Sequence, residues 1–336
     1  MAKFPTRRLT QITAVLLAVS GTATLHVGAD AVQSAQTATA AKVDVDALMA
    51  DVRTLSAPEF EGRRTGSEGN RRAQAYVLRR FREIGLEPVG GTHGQKFSFT
   101  PRARGSSGTA DKASELQGTN LFGVVRGTAA PDQFVIVSAH YDHLGRRDET
   151  TFPGADDNAS GVAGILAAAT WFAGHKPERS LLFVAFDAEE LGLQGARYFV
   201  KNPPVDLKQV AMVVNLDMIA RGDANTLWAA GTSYSPALKQ PVLDAARGRQ
   251  IKVEFGHDRP KAEAGGLDDW TNSSDHGPFH AAGIPFVYFG VEDHPDYHKP
   301  TDTADKIPKA FFADAATLAI DVVERVSKKD SVWLTR

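Results

Sequence analysis

The chain has 336 residues, no cysteine and a formal net charge of −2 at pH 7. The absence of cysteine excludes disulfides, so any metal site must be built from His, Asp and Glu. The mild charge argues against nucleic acid as a partner and against strong binding to anionic membranes.

The beginning of the chain has the pattern of an export signal. Lys3, Arg7 and Arg8 precede an apolar run over 9–25, and Ala-x-Ala sequences follow at 29–31 and 38–40. This pattern predicts a secretory signal peptide over 1–31, with cleavage between 31 and 41, and a flexible linker over 32–41. A membrane anchor is the alternative, but a span needs about 20 mainly apolar residues. We therefore expect export to the periplasm or the medium.

The rest of the chain alternates helices and strands. In chain order, the predicted elements are a helix over 43–55, a helix between Ser67 and Gly85, an edge hairpin within 95–116, strands over 119–125 and 134–139, a helix over 162–172, a strand over 181–186 and a helix over 191–200. They continue with strands over 210–216 and 226–230, a helix over 236–246, a strand over 251–255, a short helix over 275–282, a strand over 284–289 and a closing helix over 310–326.

This alternation predicts an α/β fold. We expect a doubly wound, mostly parallel central sheet with helices on both faces, as a single catalytic domain over 42–336. The stretch 256–274 is too long for a plain connector, which indicates a loop that lines a site.

Three predicted strands end at an acidic or imidazole side chain. His140 follows the strand over 134–139, Glu190 lies just beyond the strand over 181–186, and Asp217 follows the strand over 210–216. The carboxyl ends of parallel strands share one edge of the sheet, so these groups should lie together. Buried carboxylates repel one another unless cations accompany them. The pattern therefore predicts a pair of divalent cations.

Several short motifs occur in a fixed order along the chain. They are Gly-Arg at 62–63, Gly-Ser at 66–67, Ala-His-Tyr-Asp-His at 139–143, Gly-Ala-Asp-Asp-Asn-Ala-Ser-Gly at 154–161, Asp-Ala-Glu-Glu at 187–190, Asn-Leu-Asp-Met at 215–218, Ser-Asp-His at 274–276 and Tyr-His at 297–298. In their order and spacing these motifs resemble the di-zinc exopeptidases of clan MH. That family includes secreted bacterial leucyl aminopeptidases, glutamate carboxypeptidase II, glutaminyl cyclases and the non-catalytic transferrin receptor.

The resemblance implies five metal ligands. His140 and Asp217 would bind one zinc, Glu190 and His298 would bind the other, and Asp157 would bridge them together with a water or hydroxide. Imidazole and carboxylate donors suit zinc, but they also suit cobalt or manganese. The expected cofactors are therefore two divalent cations, taken as Zn²⁺ from the family.

The resemblance also implies catalytic and supporting residues. Glu189 would be the general base, and Tyr297 would donate to the tetrahedral oxyanion. Asp142 should accept the other N–H of the metal-binding His140. His143 is assigned a supporting or structural role, because the ligand set is already complete. Asp275 either braces its loop or contacts substrate.

Some expectations concern residues around these motifs. The family pattern places a cis peptide at Asp157–Asn158. Asp302 is expected to cap the turn after His298. His257 and His294 have no motif partners and are treated as surface or core residues.

The favoured function is an exported metallo-aminopeptidase that removes N-terminal residues from peptides. A carboxypeptidase remains open, but it needs a basic cluster for the substrate's terminal carboxylate. A mono-zinc glutaminyl cyclase is another alternative, and a non-catalytic binding homologue is the least favoured because every ligand and base position is filled. Peptides are the expected partners, with no nucleic acid and no stable membrane partner. The oligomeric state and the preferred side chain stay open.

Overall fold

A computed structural model describes residues 42–101 and 114–330 of the chain. The predicted signal peptide over 1–31 and the linker over 32–41 lie outside the described residues. Within the described ranges, no helix combines the length and the apolar character that crossing a membrane requires.

Ten strands are described. In chain order they are β1 (Gly94–Phe99), β2 (Leu116–Val125), β3 (Ala130–His140), β4 (Gly145–Arg147), β5 (Thr150–Phe152), β6 (Arg179–Phe186), β7 (Val210–Leu216), β8 (Thr226–Ala230), β9 (Lys252–Phe255) and β10 (Phe286–Gly290). Eight of them form one sheet in the order β1-β2-β6-β3-β7-β10-β8-β9, and β4 pairs with β5 in a separate hairpin.

The centre of the sheet is parallel. Strands β6, β3, β7 and β10 run in the same direction, whereas β2 is antiparallel to β6 and β8 is antiparallel to β10. All eight residues of β6 are buried, as expected for a parallel strand that is covered on both faces. The predicted mostly parallel sheet is therefore confirmed, with antiparallel strands on both sides of the parallel centre.

Seven α-helices surround the sheet. They are α1 (Val45–Leu55), α2 (Glu68–Ile84), α3 (Gly161–Gly174), α4 (Gln194–Lys201), α5 (Lys239–Ala246), α6 (His276–Ala281) and α7 (Lys309–Val326). One hydrophobic core includes residues of five helices, α1, α2, α3, α5 and α7. A second core includes residues of α4 and α6.

The two cores lie on opposite faces of the sheet. In β3, Val135 and Val137 join the first core while Phe134 and Ile136 join the second. Successive side chains of a strand point to opposite faces, so this division places helices on both faces. The predicted doubly wound arrangement is thereby confirmed.

Local signals account for the ends of α2. The Ser67 side chain accepts a hydrogen bond of 3.1 Å from the backbone N–H of Asn70, and Gly85 ends the helix in the left-handed region at φ 83°. Glycine adopts that region without a Cβ penalty, which makes it a common helix stop. Both predicted helix limits are confirmed.

One local prediction needs correction, and one element was missed. The helix predicted over 191–200 begins later, at Gln194, because the backbone N–H groups of Gly192 and Leu193 donate to the Glu189 carbonyl and close a turn first. The hairpin of β4 and β5 was not predicted, since each of its strands has only three residues. A strand that short carries too little alternation to be detected.

Candidate metal centre

The acidic and imidazole side chains predicted from three strand ends do meet. His140 ends β3, and its Nε2 lies 3.4 Å from Oδ1 of Asp157 and 3.3 Å from Oδ1 of Asp217. All three side chains are buried. Together they form a group whose donor atoms are close enough to share one metal ion.

A second group surrounds the other oxygen of Asp157. Nε2 of His298 lies 3.0 Å from Asp157 Oδ2 and 3.5 Å from Glu190 Oε2. Nδ1 of His143 lies 3.6 Å from Asp157 Oδ2 and 2.7 Å from Glu190 Oε1. Two imidazoles therefore face Glu190, although only His298 was expected to be a ligand.

The spacing of these donors fits zinc. Donor atoms bound about 2.0–2.2 Å from a tetrahedral zinc lie about 3.3–3.6 Å from one another. The separations between His140 and its two carboxylates, 3.4 and 3.3 Å, agree with that range. The two oxygens of Asp157 face different groups, Oδ1 towards His140 and Oδ2 towards His298.

The electrostatics of the cluster also favour added positive charge. Burial disfavours a charged imidazole, yet hydrogen bonds and attraction from Asp157 and Glu190 raise the pKa of His298 to about 10. The pKa of His140 is likewise held well above its usual value, because attraction from Asp217 and Glu189 outweighs its burial. The carboxylates thus favour positive charge in this cluster, and divalent cations would supply that charge.

The loop that carries Asp157 is fixed from a distant part of the chain. The peptide between Asp157 and Asn158 is cis, as predicted. The buried Asp302 carboxylate accepts hydrogen bonds from the backbone N–H of Asp156 (3.0 and 3.1 Å) and of Asp157 (3.1 Å). The prediction that Asp302 caps the turn after His298 is therefore wrong, since its oxygens hold the Asp157 loop instead.

Asp142 supports the site in a different way from the one predicted. Nδ1 of His140 lies 3.1 Å from the backbone carbonyl oxygen of Asp142, while the carboxylate is 3.8 Å away. The carboxylate instead accepts from the backbone N–H groups of Glu189 and Glu190, at 3.1 and 3.3 Å. Asp142 thus orients the imidazole through its main chain, and it positions both glutamates through its side chain.

Arg63 is a supporting residue whose role the motif alone did not reveal. Its guanidinium is fully buried and donates to the carbonyls of Leu55 (2.8 Å), Tyr141 (2.9 Å), Pro153 (2.6 Å) and Gly154 (2.9 Å). Burial lowers its pKa to about 10. These contacts join the segment after β3 to the segment before Asp157. The Gly-Arg motif was the only sequence signal for this role.

A cavity of about 520 Å³ opens beside the cluster. Glu189 and Tyr297 line it together with His140, Asp157 and other residues of the cluster. The Tyr297 ring stacks on the His298 imidazole with 3.9 Å between ring centroids. The residues predicted to act as base and as oxyanion donor therefore face the same space as the candidate ligands.

Asp275 has a different position. It is fully buried, and neither of its carboxylate oxygens has a hydrogen-bond partner among the described residues. Burial raises its pKa to about 7. Asp275 is not among the residues described as lining the cavity, and its carboxylate makes no hydrogen bond to its own loop. Its two expected roles, bracing the loop and contacting substrate, therefore stay predictions.

Comparison with known proteins also indicates a peptidase. Residues 120–323 match the model of Peptidase family M28. Aminopeptidase YwaD of Bacillus subtilis is 33% identical over 213 residues, which cover 60% of this chain and 42% of that protein. A Zea mays protein named "Probable glutamate carboxypeptidase" is 31% identical over 202 residues, covering 56% of this chain and 27% of that protein. The chain thus spans less than half the length of these two relatives.

Solved structures share the fold. A zinc aminopeptidase from Bacillus subtilis superimposes with a TM-score of 0.68 at 18% identity, covering 87% of this chain and 97% of that one. A glutaminyl cyclase from Bacteroides thetaiotaomicron gives a TM-score of 0.65 at 18% identity, covering 84% and 98%. One fold therefore occurs in a peptidase and in a cyclase, and the choice between activities depends on the site.

Proposed function

Because the chain belongs to Peptidase family M28, we propose that it is an aminopeptidase that removes N-terminal residues from peptides with the help of two zinc ions. The observation that supports two ions most directly is the position of Asp157. Its Oδ1 faces His140 and its Oδ2 faces His298, at 3.4 and 3.0 Å. A carboxylate shared in this way by two donor groups is typical of a bridging ligand.

The family resemblance assigns the residues that would hold the ions, and these contacts are compatible with that assignment. His140 and Asp217 would hold one ion, Glu190 and His298 would hold the other, and Asp157 would contact both. When bound, such ions polarise the scissile carbonyl and lower the pKa of water. His140 is the last residue of β3, and the other four residues come from segments beyond the carboxyl ends of strands. The carboxyl edge of the parallel strands is where α/β sheets bind their ligands.

Glu189 is assigned the proton transfers. Its carboxylate would take a proton from the attacking water and then give it to the leaving amine. Burial raises the pKa of Glu189 well above its usual value, which favours a group that must accept and return a proton. The Tyr297 hydroxyl, which lines the same cavity, would donate to the oxyanion that develops on the carbonyl.

The lining of the cavity favours an aminopeptidase over a carboxypeptidase. Arg197 is the only Lys or Arg side chain described as lining it, whereas Asp269 and Asp293 add carboxylates beyond the metal cluster. A further carboxylate of the lining, that of Asp268, is paired with Lys261 at 2.6 Å. A carboxypeptidase needs cationic groups to hold a terminal carboxylate. An acidic wall is instead complementary to the free ammonium of a substrate's N-terminus.

Export is part of the proposal. It is supported by the basic, apolar and small-residue order of the first 40 residues, the layout of a secretory signal. Sequencing the N-terminus of protein recovered outside the cytoplasm should find a start between 31 and 42. Recovery of the uncut chain from the cytoplasm alone would contradict export.

The activity is tested with leucine p-nitroanilide. The full chain should cleave it, lose cleavage in 1,10-phenanthroline and regain cleavage with added zinc. The N-acetylated substrate should not be cleaved, because it lacks the free ammonium. Cleavage that is insensitive to the chelator would argue against a metallopeptidase, and equal cleavage of the acetylated substrate would argue against an aminopeptidase.

A further inference from the structure

The loop over 256–275, between β9 and α6, forms one wall of the cavity. Five of its residues line the cavity: Asp268, Asp269, Trp270, Asn272 and Ser273. A side chain from this loop can therefore contact the part of the substrate that extends beyond the metal cluster. Trp270 presents the largest apolar surface among these five residues, so its position matters most for an apolar substrate group.

Trp270 is held at both ends of its main chain. Its backbone N–H donates to the His257 carbonyl at 2.7 Å, and its own carbonyl lies 2.9 Å from Nε2 of His276. Its ring packs edge-on against Tyr288, with 5.7 Å between centroids. The hydroxyl of Tyr288 in turn donates to the backbone carbonyl of Asp217 at 3.2 Å. The indole is thus connected to the loop that carries a candidate ligand.

The His257 ring lies flat against this indole. The two ring centroids are 3.5 Å apart with 8° between the ring planes, and Trp228 also contacts the imidazole, edge-on at 4.6 Å. His257 is 1% exposed. A buried imidazole that contacts two tryptophans leaves Trp270 little freedom to tilt.

Both nitrogens of the His257 ring have partners. Nδ1 lies 2.7 Å from the backbone carbonyl oxygen of Asp268, and Nε2 lies 2.9 Å from Oε1 of Glu292. Glu292 belongs to the segment after β10, which continues to Tyr297 and His298. One imidazole therefore joins the cavity-lining loop to the segment that carries the candidate oxyanion donor and a candidate ligand.

We propose that His257 is a positioning residue that fixes the Trp270 indole as the wall against which the N-terminal side chain of the substrate packs. This inference rests on the proposed aminopeptidase function and deepens it, since it concerns selectivity for large apolar side chains. Histidine suits the position because it combines a flat ring with two polar nitrogens. Phenylalanine at 257 would retain the stacking but lose both hydrogen bonds.

The test compares selectivity rather than overall activity. For each variant, kcat and KM are measured with leucine and with alanine p-nitroanilides, and the ratio of the two kcat/KM values is taken. In wild type this ratio should favour leucine. Trp270→Ala should lower the ratio about tenfold, since one methylene more or less in an apolar pocket changes specificity by about 10–200-fold. His257→Phe should lower it about threefold or more, mainly through a higher KM for leucine.

His175 provides a matched control. It also stacks on a tryptophan, Trp171, with 3.6 Å between centroids and 11° between ring planes, but it is not among the residues described as lining the cavity. His175→Phe should leave the ratio unchanged. Glu292→Ala removes the Nε2 contact from an exposed position and should lower the ratio in the same direction as His257→Phe. The variant that combines His257→Phe with Glu292→Ala should lower the ratio by less than the two single variants together, because both changes remove the same contact.

A purely structural role for His257 would lower cleavage of both substrates equally. The inference is overturned if Trp270→Ala and His257→Phe leave the ratio at its wild-type value. If His257→Phe does not fold, Glu292→Ala decides: a lower ratio supports the inference and an unchanged ratio overturns it. If wild type cleaves neither substrate, the proposed function itself fails, which is distinguishable from cleavage with unaltered selectivity.

Discussion

At the scale of single residues, Glu189 and Glu190 are adjacent but differ in their surroundings. Glu190 contacts two imidazoles, and hydrogen bonds from His143 and His298 keep its pKa low despite its burial. Burial instead raises the pKa of Glu189. One carboxylate is thus stabilised as an anion that can bind metal, and its neighbour is suited to moving protons.

This difference leads to a prediction for Glu189. Glu189→Gln should keep its bound zinc and lose turnover by about 10²–10⁴-fold, the usual contribution of a general base. Glu190→Gln is the matched comparison, and it should lose zinc as well as activity. Zinc content is measured by elemental analysis beside kcat. Full activity of Glu189→Gln would show that another group is the base.

The two imidazoles beside Glu190 need separate variants. His298→Ala should reduce bound zinc by one ion, because its Nε2 contacts both Asp157 and Glu190. His143→Ala should keep two ions but weaken zinc binding about 10–100-fold, the usual cost of losing a residue that supports a ligand. Competition with a chelator of known affinity measures the number of bound zinc ions and their affinity in both variants. The opposite pattern would exchange the roles of the two histidines.

At the scale of elements, Arg63 fastens the loops that present the ligands. Arg63→Lys keeps the charge but cannot reproduce the several N–H donors of the guanidinium. A hydrogen bond to a charged group contributes about 1.5–3 kcal/mol. The variant should therefore lower the free energy of unfolding by about 2–4 kcal/mol. Urea denaturation of the metal-free protein provides the measurement.

The control for that variant is Arg53→Lys in α1. Arg53 is exposed, and surface substitutions usually change stability by less than about 0.5 kcal/mol. If Arg63→Lys were as stable as Arg53→Lys, the four carbonyl contacts would not hold the loops together.

The sequence was sufficient for elements whose signal is local. The apolar run of β6 and the cap and stop residues of α2 could be read directly, and the strand ends predicted that His140, Glu190 and Asp217 would meet. Contacts between distant segments could not be read in this way. Asp302 holds the Asp157 loop only because the fold brings the two segments together. In the same way, the fold lets His257 stack on Trp270 and contact the Glu292 carboxylate. Neither contact leaves a periodic pattern in the sequence.

At the scale of the whole molecule, one candidate ligand is the last residue of β3, and the other four come from the segments that follow β5, β6, β7 and β10. Zinc should therefore stabilise the entire fold, because it binds the native arrangement and not the separated segments. Zinc at 100 times its dissociation constant should add about 2.7 kcal/mol per site. The Tm of chelator-treated protein should rise when zinc is added. An unchanged Tm would indicate that the site does not bind zinc in the folded chain.

The central claim is that one chain holds two zinc ions around Asp157 and needs them to cleave peptides. Native mass spectrometry of metal-free protein titrated with zinc, with leucine p-nitroanilide cleavage followed in the same samples, tests it most directly. We predict saturation at two zinc ions per chain, no cleavage without metal and, for Asp157→Ala, fewer bound ions. Saturation at one ion in wild type, or full cleavage by the metal-free chain, would contradict the account.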